Sequence, residues 1–361
     1  MKYRRLGNSG LIVSAVSLGT MQFGQKMNMG NLDQGATNDL VAFALDRGIN
    51  FIDTADVYSL GESEEFVGNA IKGKREELVI ATKCRLPMSD NINRSGATRV
   101  NIMRGVESSL ARLGTDYIDL YQLHGWDSNT PLEETLRAMD DLVRQGKVRY
   151  IGFSNYLAWQ GATALAAQRQ MNLNSFVTAQ MYYSLVGRGL EHEFLSMAEY
   201  HNLGILVWSP LAGGFLSGKY ERGKAAPDGT RFAENGNFVP FDKEVGYRVV
   251  DAARAVADRH GVSVAQVSLA WLLAQPAVSS VIIAGRKKEH LADNIAAADL
   301  ELTADDLREL DEAGRDEFTP YPKWMVLQLD VAEDPRPKAL YPERYEDGGP
   351  WADRRGVGWE G

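Results

Sequence analysis

The sequence predicts an α/β fold in which eight parallel strands close into a single barrel. Eight short apolar runs, rich in β-branched and aromatic residues, alternate with longer segments whose apolar residues recur at helical spacing. Strands that alternate with helices in this way are typical of a parallel sheet with right-handed crossovers. No break in composition and no flexible linker divides the eight units. A closed (β/α)8 TIM barrel is therefore favoured over an open doubly wound sheet.

Each run has the apolar continuity expected of a strand that is buried on both faces. In chain order the predicted strands are AVSLGT (15–20), NFIDT (50–54), LVIAT (78–82), YIDLYQL (117–123), VRYIGF (148–153), SFVTAQ (175–180), GILVWS (204–209) and VSSVII (278–283). The predicted helices are 38–48, 62–73, 103–114, 132–146, 159–170, 192–202, 249–261 and 263–275. The helix at 132–146 ends at Gly146, and glycine is a common residue at the C-terminal cap of a helix.

Three segments lie outside the repeated units. KYRRLG and LIVS, on either side of NSGL, predict an N-terminal hairpin that caps the bottom of the barrel. Residues 212–241 are glycine-rich and weakly periodic, which predicts a long loop after the seventh strand. We expect residues 1–314 to form the barrel domain. Residues 315–361 are expected to form a C-terminal extension that packs on the barrel or is extended.

Composition narrows the class of protein. The chain has 361 residues, 44% of them hydrophobic, and a formal net charge of −9. The negative charge argues against a broad nucleic-acid-binding surface and against attraction to anionic membranes. A single cysteine, Cys84, allows no internal disulfide and fits a reducing compartment. No signal peptide and no membrane helix is indicated, so we expect a cytoplasmic protein without a membrane or nucleic-acid partner.

Four residues with acid–base chemistry follow three successive strands. Asp53, Lys83 and His124 lie at strand ends, and Tyr58 is five positions after Asp53. In barrels of this kind the functional face lies at the C-terminal ends of the strands, so we expect the four side chains to share one pocket. Taken singly, each residue has an ordinary structural interpretation. Their joint placement favours a proton-transfer site.

The chemistry of this set suits proton donation to a carbonyl oxygen. An adjacent Lys83 ammonium is expected to lower the pKa of the Tyr58 phenol by stabilising the phenolate. Asp53 would hold Lys83 in place, and His124 would hydrogen-bond a substrate oxygen. The other histidines are scattered without ligand spacing, so no metal site is predicted. A nucleophilic role for Cys84 would require an activating base and is not favoured.

The later strand ends carry amide, indole and guanidinium groups. Asn155, Gln180 and Trp208 suit a flat heterocycle with a carboxamide, and Arg286 with Lys287 suits a phosphate. GGFLSGKY (213–220) resembles a P-loop, but a tyrosine replaces the hydroxyl residue that binds magnesium. No Gly-x-Gly-x-x-Gly motif opens a βα unit, so a Rossmann site is not indicated.

The chain resembles the aldo-keto reductase family through FIDTADVY, ATK, DLYQLH, TPLEETLRAMDDLVRQGKVRYIGFSN, WSPLAGGFLSGKY and EHLADN. The resemblance covers roughly residues 1–312 and is to long-chain bacterial-type members and the potassium-channel β-subunit-like branch. It implies an NADP(H)-dependent TIM-barrel oxidoreductase. The implied catalytic residues are Asp53, Tyr58, Lys83 and His124. Tyr58 would be the general acid, and the hydride would come from nicotinamide C4.

The resemblance also implies binding residues. Those for the cofactor are Thr20, Met21, Asp53, Ser154, Asn155, Gln180, Trp208, Ser209, Leu211, Gly213, Lys219, Arg231, Arg286, His290 and Asn294. Phe23, Arg85 and Trp126 are the candidate substrate contacts, and Arg85 indicates a polar or anionic substrate or a contact with the C-terminal extension. His290 and the AGR segment (284–286) depart from the family pattern, and NADPH is expected in preference to NADH.

Two functions follow from this resemblance. The first is NADPH-dependent, reversible reduction of a small-molecule aldehyde or ketone to the alcohol. The chain is also compatible with a homo-oligomer. The alternative is an NADP(H)-binding regulatory or redox-sensing subunit with little turnover, like the channel-subunit branch. The set of four catalytic residues favours the first. A P-loop nucleotide hydrolase is a distant third interpretation.

Overall fold

The computed structural model of the chain describes residues 1–26, 31–91, 93–227, 230 and 239–315. The strands are β1 (Tyr3–Arg5), β2 (Ile12–Ser14), β3 (Val16–Gly19), β4 (Phe51–Asp53), β5 (Val79–Cys84), β6 (Ile118–Leu123), β7 (Val148–Ser154), β8 (Thr178–Tyr182), β9 (Gly204–Trp208) and β10 (Val278–Ile283). The helices are α1 (Gln34–Leu45), α2 (Glu62–Ala70), α3 (Arg99–Leu113), α4 (Leu132–Arg144), α5 (Ala158–Gln170), α6 (Phe194–Tyr200), α7 (Lys243–His260), α8 (Val264–Leu273), α9 (Lys288–Ala296) and α10 (Ala304–Ala313).

The strands β3 to β10 form a closed parallel barrel. Each pairs with its neighbour in chain order, and β10 pairs with β3 to complete the ring. All eight predicted barrel strands are confirmed within a few residues at their ends. The helices between the strands cover the outer face, so the predicted (β/α)8 architecture is confirmed.

Helix starts were the weaker part of the prediction. The helices α1 and α3 begin four residues before their predicted starts at 38 and 103. The side chains of Asp33 and Thr98 accept hydrogen bonds from backbone N–H groups of the first turns, which places the starts earlier. The helices α9 and α10 have no counterpart among the predicted helices. A capping box of Thr303 and Asp306 begins α10.

The predicted hairpin closes the bottom of the barrel. The strands β1 and β2 pair antiparallel, and Leu6 and Val13 pack with Phe51 inside the barrel. Gly7, at φ +55°, lies so close to the ends of β8 and β9 that a Cβ there would be 2.0 Å from the carbonyl oxygen of Val177. A larger residue at position 7 would therefore lift the hairpin from the barrel.

Alternation along the strands separates two apolar cores and aims the site residues inward. Phe51 packs in the inner core and Ile52 in the outer core under the helices. Because successive strand side chains point to opposite faces, Asp53 is aimed inward like Phe51. On β5, Ala81 packs in the inner core, and Lys83, two residues later, points to the same side of the strand nearer the top of the barrel.

The long loop predicted after the seventh strand lies between β9 and α7 and begins with a 3₁₀ segment at Ala212–Ser217. Residues 228–229 and 231–238 of this loop lie outside the described residues, and so does the predicted extension beyond Arg315. Across the described ranges, none of the helices combines the length and the apolar character that crossing a membrane requires.

Candidate active site

The structure brings the four predicted catalytic residues together at the top of the barrel. Lys83 Nζ lies 2.6 Å from Asp53 Oδ1 and donates to the Tyr58 hydroxyl across 3.4 Å. The rings of Tyr58 and His124 meet edge to face, with centroids 5.9 Å apart. A charged pair, a phenol and an imidazole therefore line one small volume.

Asp53 is held by more donors than the sequence indicated. Besides Lys83, the amide of Gln180 donates to its Oδ2 at 2.7 Å and that of Gln122 at 3.4 Å. Gln180 was predicted as a carboxamide contact, and in this structure its amide donates to Asp53. Gln122 was missed, although it lies two residues before His124 on the same inward face of β6. The carboxylate is thereby fixed on both oxygens.

Lys83 is fully buried and remains charged. Burial lowers the pKa of its ammonium, but the charges of Asp53 and Tyr58 and the hydrogen bonds to them outweigh burial, so the pKa is raised overall. Its Nζ also donates to the carbonyl oxygen of Thr54 at 2.8 Å. All three N–H bonds of the ammonium thus have acceptors, which is what a buried cation requires.

The pKa of Tyr58 departs from the prediction. Burial of the hydroxyl raises its pKa, and the charge of Lys83, which lowers it, compensates only in part. Lys83 lies beside Tyr58 as predicted, but the loss of hydration raises the pKa of the phenol more than the Lys83 charge lowers it. The net pKa therefore lies above that of free tyrosine, and Tyr58 keeps its proton at neutral pH. That is the state a proton donor needs.

His124 is a neutral imidazole. Burial, followed by the charges of Lys83 and Arg85, lowers its pKa to about 3. Its backbone N–H donates to the carbonyl oxygen of Cys84 at 2.9 Å, which joins the ends of β5 and β6. Among the described residues its buried Nδ1 has no hydrogen-bond partner. A neutral ring can donate one hydrogen bond to a substrate oxygen without carrying charge.

The lowered pKa of His124 predicts a pH-dependent stability. The unfolded chain takes up this proton near pH 6.5 and the folded chain near pH 3. The stabilisation is therefore complete above about pH 6.5 and is lost as the pH falls towards 3. After allowance for partial exposure of the ring, we expect a loss of about 1 kcal/mol of unfolding free energy between about pH 7 and pH 5. Urea unfolding of wild type and His124→Asn at both pH values measures it. An equal loss in the two proteins would contradict the assignment.

Three left-handed residues turn the chain across the top of the barrel. Arg85, Asn155 and Ser209 follow β5, β7 and β9 directly, with φ of 115°, 57° and 52°. Such angles are uncommon in residues other than glycine and cost about 1 to 3 kcal/mol when the side chain is not suited to them. Strained backbone of this kind clusters at functional sites.

Asn155 and Trp208, predicted to meet a nicotinamide, are in contact with each other. Trp208 Nε1 donates to Asn155 Oδ1 at 3.0 Å, and Asn155 Nδ2 donates to the carbonyl oxygen of His124 at 3.2 Å. The Tyr182 ring lies 5.2 Å from the Trp208 ring, an aromatic neighbour that sequence reasoning missed. Ser154 Oγ donates to the carbonyl oxygen of Gln180 at 2.8 Å. These groups form one polar and aromatic wall.

A cationic region lies on the side of β10. Partial burial and then the charge of Arg286 lower the pKa of Lys219, so the two cations are near each other. Helix α9 begins just after Arg286, and no side chain caps its first turn. His290 is exposed in this first turn, whereas Asn294 is buried and donates to the carbonyl oxygen of Ala284 at 3.2 Å. Two cations and an open helix N-terminus suit a phosphate.

The other predicted binding residues are placed differently. Thr20 is fully buried and its hydroxyl bonds the Asp53 carbonyl oxygen at 3.1 Å, while Met21 is partly exposed. Phe23 is 2% exposed and packs in the core, so almost none of its ring is available to a substrate.

Two predicted cofactor contacts lie in the loop after β9. Leu211 directly precedes the 3₁₀ segment and Gly213 lies within it, and both are partly exposed. Arg231 lies outside the described residues.

A second buried carboxyl group lies next to the site and was missed. Asp56 is 3% exposed, and burial, with the charge of Glu64, raises its pKa to about 8. It is therefore protonated at neutral pH. Burial also raises the pKa of the Cys84 thiol, which argues against a thiolate nucleophile there. Asp56 could have been noticed in the sequence as the second acidic residue of FIDTADVY, after Asp53.

Comparison with known proteins agrees with this geometry. Residues 15–315 match the model of the aldo/keto reductase family. An uncharacterized oxidoreductase, YrpG, of Bacillus subtilis is 38% identical over 86% of this chain and 95% of its own length. A probable voltage-gated potassium channel subunit beta of Arabidopsis thaliana is 37% identical over 83% of this chain and 92% of its own.

A third relative is named for its reaction. The versiconal hemiacetal acetate reductase of Aspergillus parasiticus is 34% identical over 86% of this chain and 96% of its own length. The family model matches most of the chain, and these relatives are 34% to 38% identical to it over most of their own length. This chain belongs to the aldo/keto reductase family and is an NAD(P)H-dependent oxidoreductase.

Proposed function

We propose that the protein reduces an aldehyde or ketone to the alcohol with NADPH, reversibly, and that Tyr58 donates the proton. The observation that carries this proposal is the buried Lys83–Asp53 pair beside a protonated Tyr58 hydroxyl. A proton donor, a fixed cation and a neutral hydrogen-bond donor in one pocket fit the polarisation and protonation of a carbonyl oxygen.

The residues present fit a nicotinamide dinucleotide. At one end, Asn155 and Ser154 offer amide and hydroxyl groups for a carboxamide, beside the Trp208 ring. At the other end, Lys219 and Arg286 place two positive charges near the start of α9. A phosphate placed near these two cations would be attracted to both. The distribution matches a ligand with a flat amide head and a phosphate tail.

Each of the four residues has its own role in the transfer of the proton. When bound, the dihydronicotinamide supplies a hydride from C4 to the carbonyl carbon. The Tyr58 O–H donates its proton to the carbonyl oxygen, and His124 orients that oxygen by a hydrogen bond. Lys83 stabilises the phenolate that Tyr58 becomes, and Asp53 keeps Lys83 charged and in position. One hydride and one proton convert the carbonyl to the alcohol.

We assign Arg286 to the adenosine 2′-phosphate that distinguishes NADPH from NADH, and this assignment predicts an effect on cofactor selectivity. Arg286→Ala is expected to weaken NADPH about 10- to 100-fold, because a hydrogen-bonded charge pair to the phosphate is lost. NADH lacks this phosphate, so its affinity should change by less than about three-fold. Quenching of intrinsic fluorescence measures both dissociation constants. Arg104→Ala, an exposed arginine on α3, is the control for loss of one positive charge. Equal losses for the two cofactors would refute the assignment.

The alternative function is regulatory or redox-sensing binding of NADP(H) with little turnover. It is supported by the similarity to relatives named as probable potassium channel β subunits. Oxidation of NADPH by wild type across a panel of aldehydes, keto-sugars and cyclic ketones distinguishes the two functions. Turnover that Tyr58→Phe abolishes supports reduction. Tight NADPH binding without turnover on the whole panel would favour the regulatory function.

A further inference from the structure

Arg85 lies beside His124 at the entrance to the barrel. It directly follows β5, and His124 directly follows β6. The last residues of these two strands, Cys84 and Leu123, are partners in the sheet register. The charge of Arg85 reaches the His124 ring, where it contributes to the lowered pKa. Any carbonyl oxygen bound by His124 is therefore close to this guanidinium.

Within the described part of the chain, Arg85 forms no ion pair. Three other partly buried arginines contact carboxylates: Arg75 bonds Asp119, Arg112 bonds Glu64 and Arg188 bonds Glu191. Arg85 instead donates from Nη2 to the carbonyl oxygen of Trp126 at 2.9 Å, and its buried Nε has no partner among the described residues. A partly buried guanidinium without a counter-charge has unused capacity for an anion.

A carboxylate that lies within range of the Arg85 charge, that of Asp127, is already bonded to other donors. Asp127 Oδ2 accepts from the backbone N–H of Ala97 and the hydroxyl of Thr130, each at 2.7 Å. Its Oδ1 accepts from the backbone N–H of Asn129 at 2.9 Å. The charge of Arg85 acts on Asp127 through space, and within the described ranges no ion pair or hydrogen bond joins the two side chains. The Asp127 carboxylate therefore leaves the donors of Arg85 available.

The backbone and the side chain of Arg85 are both fixed. Its φ of 115° is far from the usual range, and its carbonyl oxygen accepts from the N–H of Gly96 at 2.8 Å. The Nη2 bond to Trp126 fixes the other end of the side chain. Strained residues that are held in this way recur at ligand-binding positions. A guanidinium ordered before binding loses little entropy when an anion arrives.

We propose that Arg85 is a specificity-determining residue that selects carbonyl substrates carrying a carboxylate. One guanidinium matches the single charge of a carboxylate, and the partly exposed Trp126 offers an aromatic wall for the body of the substrate. The inference rests on the proposed carbonyl reduction and names its substrate class. His124 and Tyr58 bind the carbonyl end, and Arg85 binds the anionic end.

The test compares two aldehydes of the same shape and different charge: 4-carboxybenzaldehyde and its amide, 4-formylbenzamide. With NADPH, we expect wild type to have a kcat/KM for the acid at least about 10-fold above that for the amide. Arg85→Met should lower kcat/KM for the acid about 10- to 100-fold, chiefly through KM, and change that for the amide by less than about three-fold.

Two further variants control for structure and charge. Arg85→Lys keeps the charge without the planar fork and should retain part of the preference for the acid. Arg104→Met removes an exposed arginine on α3 and should leave both substrates unchanged. Unchanged NADPH affinity and melting temperature in Arg85→Met would show that the variant is folded.

The outcomes separate this inference from the proposed reduction. If wild type turns over the acid and the amide equally, or if Arg85→Met loses both equally, selection by Arg85 is wrong and carbonyl reduction stands. If wild type oxidises NADPH with neither aldehyde nor with the wider carbonyl panel, both proposals are wrong. A loss confined to the acid, partly restored in Arg85→Lys, supports the assignment.

Discussion

Replacing Tyr58 with phenylalanine is expected to lower kcat for carbonyl reduction by about 10²- to 10⁴-fold, the usual contribution of a positioned general acid. The substitution removes one oxygen and keeps the ring that lies against His124. NADPH affinity should therefore stay within about three-fold of wild type. Single-turnover oxidation of NADPH with a saturating aldehyde measures the chemical step, and fluorescence titration measures the cofactor affinity.

A matched control is available elsewhere on the chain. Tyr200 is 80% exposed on α6, so Tyr200→Phe removes a phenolic oxygen that is far from the proposed chemistry. This control should have wild-type kinetics. If Tyr58→Phe reduced carbonyls at the wild-type rate, the proton would have to come from another group. If it lost NADPH binding in proportion to activity, its role would be in cofactor binding.

Replacing Lys83 with methionine is expected to reduce both activity and stability. Without the ammonium, the Asp53 carboxylate stays buried, and its side-chain donors among the described residues are then the amides of Gln122 and Gln180. Leaving one charge of a buried pair without its partner costs about 3 to 5 kcal/mol. Carbonyl reduction should also fall by at least about 10²-fold, because the phenolate of Tyr58 loses its stabilising charge.

The double variant Asp53→Asn/Lys83→Met separates these two effects. Removing both charges avoids the unpaired carboxylate, so we expect the double variant to recover much of the stability and none of the activity. Urea unfolding gives the stability of each protein, and NADPH oxidation gives the rates. A Lys83→Met protein as stable as wild type would contradict the expected cost of leaving the Asp53 carboxylate without its partner. A double variant less stable than the single variant would have the same meaning.

Much of this site follows from the alternation of side chains along the strands. Asp53, Lys83 and His124 could be placed together because parallel strands end at one edge and each residue occupies an inward position. The same rule would have found Gln122. The spacing of residues in the sequence does not indicate how deeply a side chain is buried. The burial of Phe23 and the net rise in the pKa of Tyr58, which burial causes, were therefore missed.

Partners that come from distant parts of the chain were harder to predict. Gln180 is 127 residues from Asp53, and its choice of that carboxylate depends on how β8 closes against the rest of the barrel. The helix α10 was missed because its apolar spacing is short. Its capping box of Thr303 and Asp306 was the local signal that could have identified it.

The three left-handed residues at the strand exits create a conflict for protein engineering. Glycine adopts such angles without steric cost, so Gly at positions 85, 155 or 209 would relieve backbone strain. A screen that selects only for heat resistance would therefore tend to collect these replacements. Each one would remove a guanidinium, an amide or a hydroxyl from the entrance of the barrel. Variants selected in that way would be expected to survive heating and to lose turnover, which is the usual trade-off at strained sites.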